Sequence, residues 1–265
     1  MDITTPIGLF GAVALVFVAI LIEGGNPVAF INAPASLMVF GGLTCTMMLA
    51  YPMEQLKDAI GIIRQLFFMG KLDAVSTINT LVDMCTLVRR DGLLALDAVV
   101  RNLEDPFLAK GVQFVVDGME PELTKEILNL DLSSKRHRHH QARGILDMCA
   151  AIAPGFALVG TLVGLVSMLA NLDPSTVGHK MALALICTLY GCFVANAIFM
   201  PASKNLEFKS EHELLVNEIM VEGLLGIQAG ENPRHLEDRL KAFLPMRHRD
   251  KAGGGRGSAA IGEAA

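Results

Sequence analysis

The chain has 265 residues, of which 52% are hydrophobic and 18% charged; its mean hydropathy is +0.46 and it has no tryptophan. That balance argues against a single soluble domain and places the chain in the membrane class. A formal net charge of −5 and a pI near 5.8 offer no basic footprint for nucleic acid.

Residues 3–22 carry no charge and end at Glu23, long enough for one membrane-spanning helix. No basic residue precedes this run, so a retained span is expected in place of a cleaved signal. The turn formers of GGNPVAFIN then return the chain into a second uncharged run, residues 33–51, where Gly41 and Gly42 make a thin face. Residues 52–147 are too long for a linker. Leu72, Val75, Ile78, Val82 and Cys85 recur at helical spacing, and a further helix is expected over 93–103. Asp105-Pro106 reads as an N-cap with proline at the first helical position, Gly118 as the end of that helix, and Pro121 as the start of the next.

The third span lies within residues 148–172, 25 residues without a charge. Pro154 leaves a backbone carbonyl without its usual donor, while Gly160 and Gly164 form a small-x-x-x-small face for a neighbouring helix. The fourth span, residues 181–200, is expected to stop against Pro201. Beyond it, Leu206, Leu214, Leu215, Ile219, Val221, Leu224 and Leu225 continue a helix, Asn232-Pro233 caps a short last one, and a Gly- and Ala-rich tail from 250 is expected to be disordered. The fold class is therefore all-α, with four transmembrane helices and a helical domain between the second and third. Its divisions are 1–51, 52–147, 148–201, 202–249 and 250–265.

Basic residues set the orientation. Twelve Lys and Arg lie in 52–147 and nine in 201–265, against Lys180 alone on the opposite face. The positive-inside rule then places the large loop and both termini in the cytoplasm.

The span interiors hold no Asp, Glu, Lys, Arg or His, the groups that proton relays use, so the chain by itself is a poor ion carrier. It does offer two hydroxyls at mid-membrane depth, Thr161 and Thr188. Each either bonds back to the i−4 carbonyl of its own helix or lines a polar path opposite a carboxylate on another subunit. No GxxxxGK[ST] loop is present, so work must come from an ion gradient or a partner. No intramembrane GxSG nucleophile with a histidine partner is present, and an enzyme is not expected. The five cysteines show no CxxC spacing, which leaves them as small buried hydrophobes. His137, His139 and His140 in KRHRHH lack a Cys or carboxylate to complete a metal set. A solvated basic patch near the inner leaflet is the reading for that run.

Five blocks in order carry a resemblance: RRDGLLALD (89–97), FLAKGVQFVVDG (107–118), APGFALVGTLVGLV (153–166), TLYG (188–191) and EGLLGIQAGENPRHLEDRL (222–240). Over roughly residues 1–245 the sequence resembles the flagellar motor stator A subunits, the MotA/PomA family. The resemblance implies a ring of five copies around a pair of MotB/PomB-type B subunits, each with an ion-binding Asp. Ion flow would turn the ring and drive the rotor protein FliG, in the bacterial inner membrane. The related ExbB/TolQ energisers of other envelope processes are the alternative.

By the same resemblance Arg89, Arg90 and Asp97 are implied in rotor contact, with Asp97 where the family more often has Glu. Pro154 and Pro201 match the family's prolines and are implied in conformational coupling. Thr161 resembles the sodium-type branch, whereas Ala151 stands where that branch has an acid; the balance favours sodium over protons as the transported ion. No bound cofactor or metal is expected.

Overall fold

The computed structural model describes residues 4–68, 73–170 and 174–249, and all regular structure among them is helical. The 250–265 tail, Leu72 and the end of the third span at 171–172 lie outside the described residues. The elements are α1 (Thr4–Ile22), α2 (Ala33–Ser36), α3 (Gly42–Ala50), α4 (Met53–Phe68), α5 (Ala74–Asp91), α6 (Leu96–Val100), α7 (Pro106–Val116), α8 (Pro121–Ala170), α9 (Pro174–Phe193), α10 (Met200–Gln228), α11 (Pro233–Lys241) and α12 (Met246–Arg249).

Three helical stretches are long and apolar enough to cross a membrane, namely Pro27–Ala50, Pro121–Ala170 and Pro174–Gln228. The 19-residue α1 is the other long apolar helix at this end of the chain. At about 1.5 Å per residue, α8 is about 75 Å long, far more than a bilayer core of about 30 Å requires.

Two compact units result, one from Met1–Met69 with Arg138–Lys209, the other from Gly70–His137 with Ser210–Ala265. In the first, Ala35, Val39, Ala157, Ile186 and Cys187 form one buried cluster. Leu43, Met47, Ala59, Ala142, Ile145, Leu146, Cys149 and Leu206 form another. Small residues permit this closeness: a Cβ on Gly42 would stand 2.3 Å from the Phe156 ring, and one on Gly191 would stand 2.4 Å from Ala157 Cβ. Tyr190 closes the return loop by accepting from Asn32 N–H at 3.1 Å and donating to the Phe30 carbonyl.

The second unit is built on α5, α7, α10 and α11. Ile78, Leu81, Met84, Val112, Leu128, Ile219, Leu224 and Leu236 meet in its core. Local chemistry starts its helices. The Asp73 carboxylate accepts from Val75 N–H at 3.2 Å, and Asp105 accepts from Phe107 and Leu108 N–H at 2.8 and 3.1 Å ahead of Pro106. Gly118 adopts φ +69° just past the end of α7. Buried charge also appears: Glu213, 4% exposed, pairs with Lys135.

Several sequence expectations need correction. The fourth span does not stop at Pro201: α9 passes through a π turn, Val194–Phe199, into α10. Proline removes one donor, that for Ala197 C=O, and the wider turn just ahead absorbs the mismatch without ending the helix. The helix expected over 93–103 is a 3-10 turn, Leu93–Ala95, followed by the short α6. A π turn, Leu37–Gly41, interrupts the second span. The amphipathic α4 was not anticipated, although Leu56, Ala59 and Ile63 share a helical face. His139 is buried within the basic run that reads as solvated. No group of metal-ligating side chains is present among the described residues.

Candidate functional site in the membrane spans

Thr161 sits on α8 and Thr188 on α9, in segments that run antiparallel. A Cβ on Gly160 would come 2.7 Å from Cys187 Sγ, and one on Gly164 would come 3.0 Å from Ala184 Cβ. Glycine at these two positions lets the backbones approach closely. That approach brings the two threonines together. Their hydroxyl oxygens are 2.6 Å apart, Thr161 Oγ1 lies 2.9 Å from the Ala157 carbonyl and 3.0 Å from that of Ala184, and Thr188 Oγ1 lies 3.4 Å from the Ala184 carbonyl.

The proton count of this cluster matters. Two hydroxyl hydrogens serve four oxygen contacts, so whichever way they point, one threonine oxygen keeps lone pairs free. Thr188 is exposed, and the surrounding surface is apolar: Leu158, Leu162 and Leu185 are 61, 53 and 64% exposed. Thr161 therefore bonds back to its own helix, one of the two alternatives for it, and also meets a second hydroxyl across the helix pair, which the residue type alone did not announce. The site has acceptors and no charge of its own.

Pro154 lies inside unbroken α8, half-buried, and leaves the Ala150 carbonyl without an i+4 donor. Pro201 is exposed in the first turn of α10. The two prolines are not brought into contact with the threonine pair.

The charged motif of the second unit is a separate surface. Arg89 and Arg90 end α5, where a helix C-terminus favours cations. Gly92 turns the chain at φ +86°, ψ 170°, and Asp97 opens α6. Arg89 and Asp97 are not paired with each other. Arg90 donates to Asp91 through Nη2 at 2.7 Å and Nε at 3.0 Å, whereas Asp97 pairs with Arg101 at 3.5 Å. The hydrogen bond from Arg90 holds the Asp91 carboxyl below the usual carboxylate range. All these side chains are exposed, so the contacts add little stability and leave the charges available.

The sequence reading missed a second ionic cluster, Arg143 and Asp147 on α8 with Ser203, Lys204 and Glu207 on α10. The i,i+4 spacing of Arg143 and Asp147 and the i,i+3 spacing of Lys204 and Glu207 were legible, but the meeting of the two pairs was not.

Comparison with known proteins sets the class. The pattern of the MotA/TolQ/ExbB proton channel family matches residues 99–219. Motility protein A of Treponema pallidum is 35% identical over 251 residues, covering 94% of this chain and 96% of that protein. Chemotaxis protein PomA of Vibrio alginolyticus is 33% identical over 245 residues, covering 92 and 96%. Among solved structures, the flagellar MotAB stator complex from Bacillus subtilis superposes with a TM-score of 0.86 at 29% identity, over 94% of this chain and 99% of that one. The chain belongs to the motility protein A family and is an all-α membrane protein.

Proposed function

We propose that this protein is the A subunit of an ion-driven flagellar stator. It forms a ring, of five copies on the family pattern, around a pair of MotB/PomB-type B subunits. The ring lies in the bacterial inner membrane with both termini and the 52–147 segment in the cytoplasm, where the basic residues concentrate. The transported ion is carried by an aspartate of the B subunit, and Arg89, Arg90 and Asp97 meet the rotor protein FliG.

One observation carries the reading. Spans without an ionisable side chain converge on a pair of threonine hydroxyls with an unused acceptor on the exposed side. An ion needs a counter-charge to cross a bilayer economically, and this chain supplies only neutral oxygen ligands, so the acid belongs to a partner. A hydroxyl oxygen is a hard ligand suited to sodium, which favours sodium over protons. The transported ion is cargo, and no bound cofactor takes part.

The test is to co-express the chain with a B subunit in a host lacking its own stator. The reading expects a complex with several A chains per B pair that drives rotation with a speed set by external sodium at fixed membrane potential. Failure to form a complex, or ion flux through the isolated chain at the rate of the assembly, would overturn it. Speed independent of sodium would overturn the ion preference alone.

A further inference from the structure

The stator reading leaves unused the ionic cluster in the unit that holds the spans. Arg143 and Asp147 stand on α8, with Asp147 about two turns before Pro154. Ser203 and Glu207 stand on α10, with Ser203 two residues past Pro201. Every element of the cluster crosses between the two helices or braces a group that does. Ser203 Oγ donates to Asp147, and Arg143 Nη1 donates to Glu207. Lys204 Nζ holds the other Glu207 oxygen at 2.9 Å, and Arg143 Nε lies 3.4 Å from Asp147. Arg143 and Glu207 are 28 and 25% exposed, so solvent screens this pair less than the charged motif of the second unit. Beneath them Ala142, Ile145, Leu146 and Leu206 share one buried cluster.

Pro154 and Pro201 each remove a hydrogen bond from their own helix, so bending is easy at two points on two different helices. Without a tie beyond those points, each helix could bend alone. The cluster lies on the same side of both prolines, away from the threonine pair, and joins the two helices there. Two cations face two carboxylates, so the tie has no net charge and its strength comes from direction and pairing.

We propose that Arg143, Asp147, Ser203 and Glu207 are positioning residues for torque generation. They form a clamp that makes the proline-bearing helices of the third and fourth spans move as one body once they leave the membrane. This rests on the stator reading of the chain. The clamp touches no ion and no rotor protein; it acts by keeping two hinges in step.

The test uses the full A–B complex in a motile host without its own stator, with Arg143→Glu, Glu207→Arg and the double exchange. The single reversals are expected to retain co-purification with the B subunit while torque per stator unit falls at least about twofold, the scale of a modest coupling energy. The double exchange restores the attraction between the helices but sets like charges beside Asp147 and Lys204, so it is expected to recover part of that torque. Should a reversal fail to assemble, Glu207→Gln and Ser203→Ala take its place, with the same loss expected in an assembled complex. Assembled single variants that turn the motor at full torque would overturn the clamp. So would a double exchange that assembles and is as weak as the singles. A failure of the stator reading is distinct, because the unmodified complex would then turn no motor at all.

Discussion

The hydroxyls of Thr161 and Thr188 lie 2.6 Å apart although 27 residues separate them in the chain. Gly160 and Gly164 set that distance, since each sits one turn or less from Thr161 and each is pressed against α9. The hydroxyl pair and the helix packing are thus one feature, and substitutions at either should be read together.

Removing the hydroxyl while keeping the shape isolates its role. Thr161→Val should raise the external sodium needed for half-maximal motor speed by about fivefold, the scale of one hydrogen bond or ligand contact of about 1 kcal/mol. Thr161→Ser should leave it near the starting value. Speed measured across a sodium series in the assembled complex decides this, and an unchanged curve for the valine variant would remove Thr161 from the path.

Packing is tested one residue away. Gly160→Ala puts a Cβ within 3 Å of the Cys187 side chain, which has little room to swing, and should cost about 1–3 kcal/mol through overpacking. Cys187→Gly in the same protein should return part of it. Circular-dichroism melting suits this chain, which has no tryptophan for fluorescence.

Gly92→Ala should weaken rotor engagement without affecting assembly. Its φ of +86° with ψ 170° lies where side chains cost about 1–3 kcal/mol, although the space around it is open. The local chain will relax and turn Arg89 and Arg90 relative to Asp97. Normal torque from the variant would separate the rotor contact from this turn.

Lys135→Ala should be strongly destabilising, by about 3–5 kcal/mol, because Glu213 is 4% exposed and would be left buried without its cation. Lys135→Met with Glu213→Leu should recover most of the loss. A melting temperature for the double variant as low as for the single one would show that the cost lies elsewhere.

Acid sensitivity should be traceable to Glu207. Its hydrogen bond from Lys204, with the Arg143 guanidinium beside it, holds the carboxyl below the ordinary value of 4.5. A lowered folded value means the ionised group supports the fold fully above the ordinary range, and that support is lost as pH falls through the lowered one. Between about pH 5 and pH 3 the unmodified protein should therefore lose more thermal stability than Glu207→Gln. Parallel acid titrations of the two melts check the sign.

Much of the fold was legible because its signals are local. Asp105, Pro106 and Gly118 bracket α7 through capping chemistry within a few residues, and a 25-residue uncharged run can only be accommodated in lipid or a large core. Pro201 misled for the same reason. A rule about one residue's missing donor gave way to a π turn six residues long, which no nearby residue announces. Among the site residues, Thr161 and Thr188 could be named from residue type and depth, whereas for Arg143 and Asp147 only their spacing on one helix was legible and their partners on α10 were not.

The sequence by itself determined that this chain lives in a membrane, that its spans lack charge, and that basic residues crowd one side, because hydropathy and charge are sums over residues that need no coordinates. Only the tertiary structure decided which groups meet: Thr161 with Thr188, Arg143 with Glu207, Lys135 with Glu213. Each pairing depends on the register of two helices far apart in the chain. For the threonine pair that register is set by where glycine and alanine let the backbones close, a property of the packed pair and of neither helix alone.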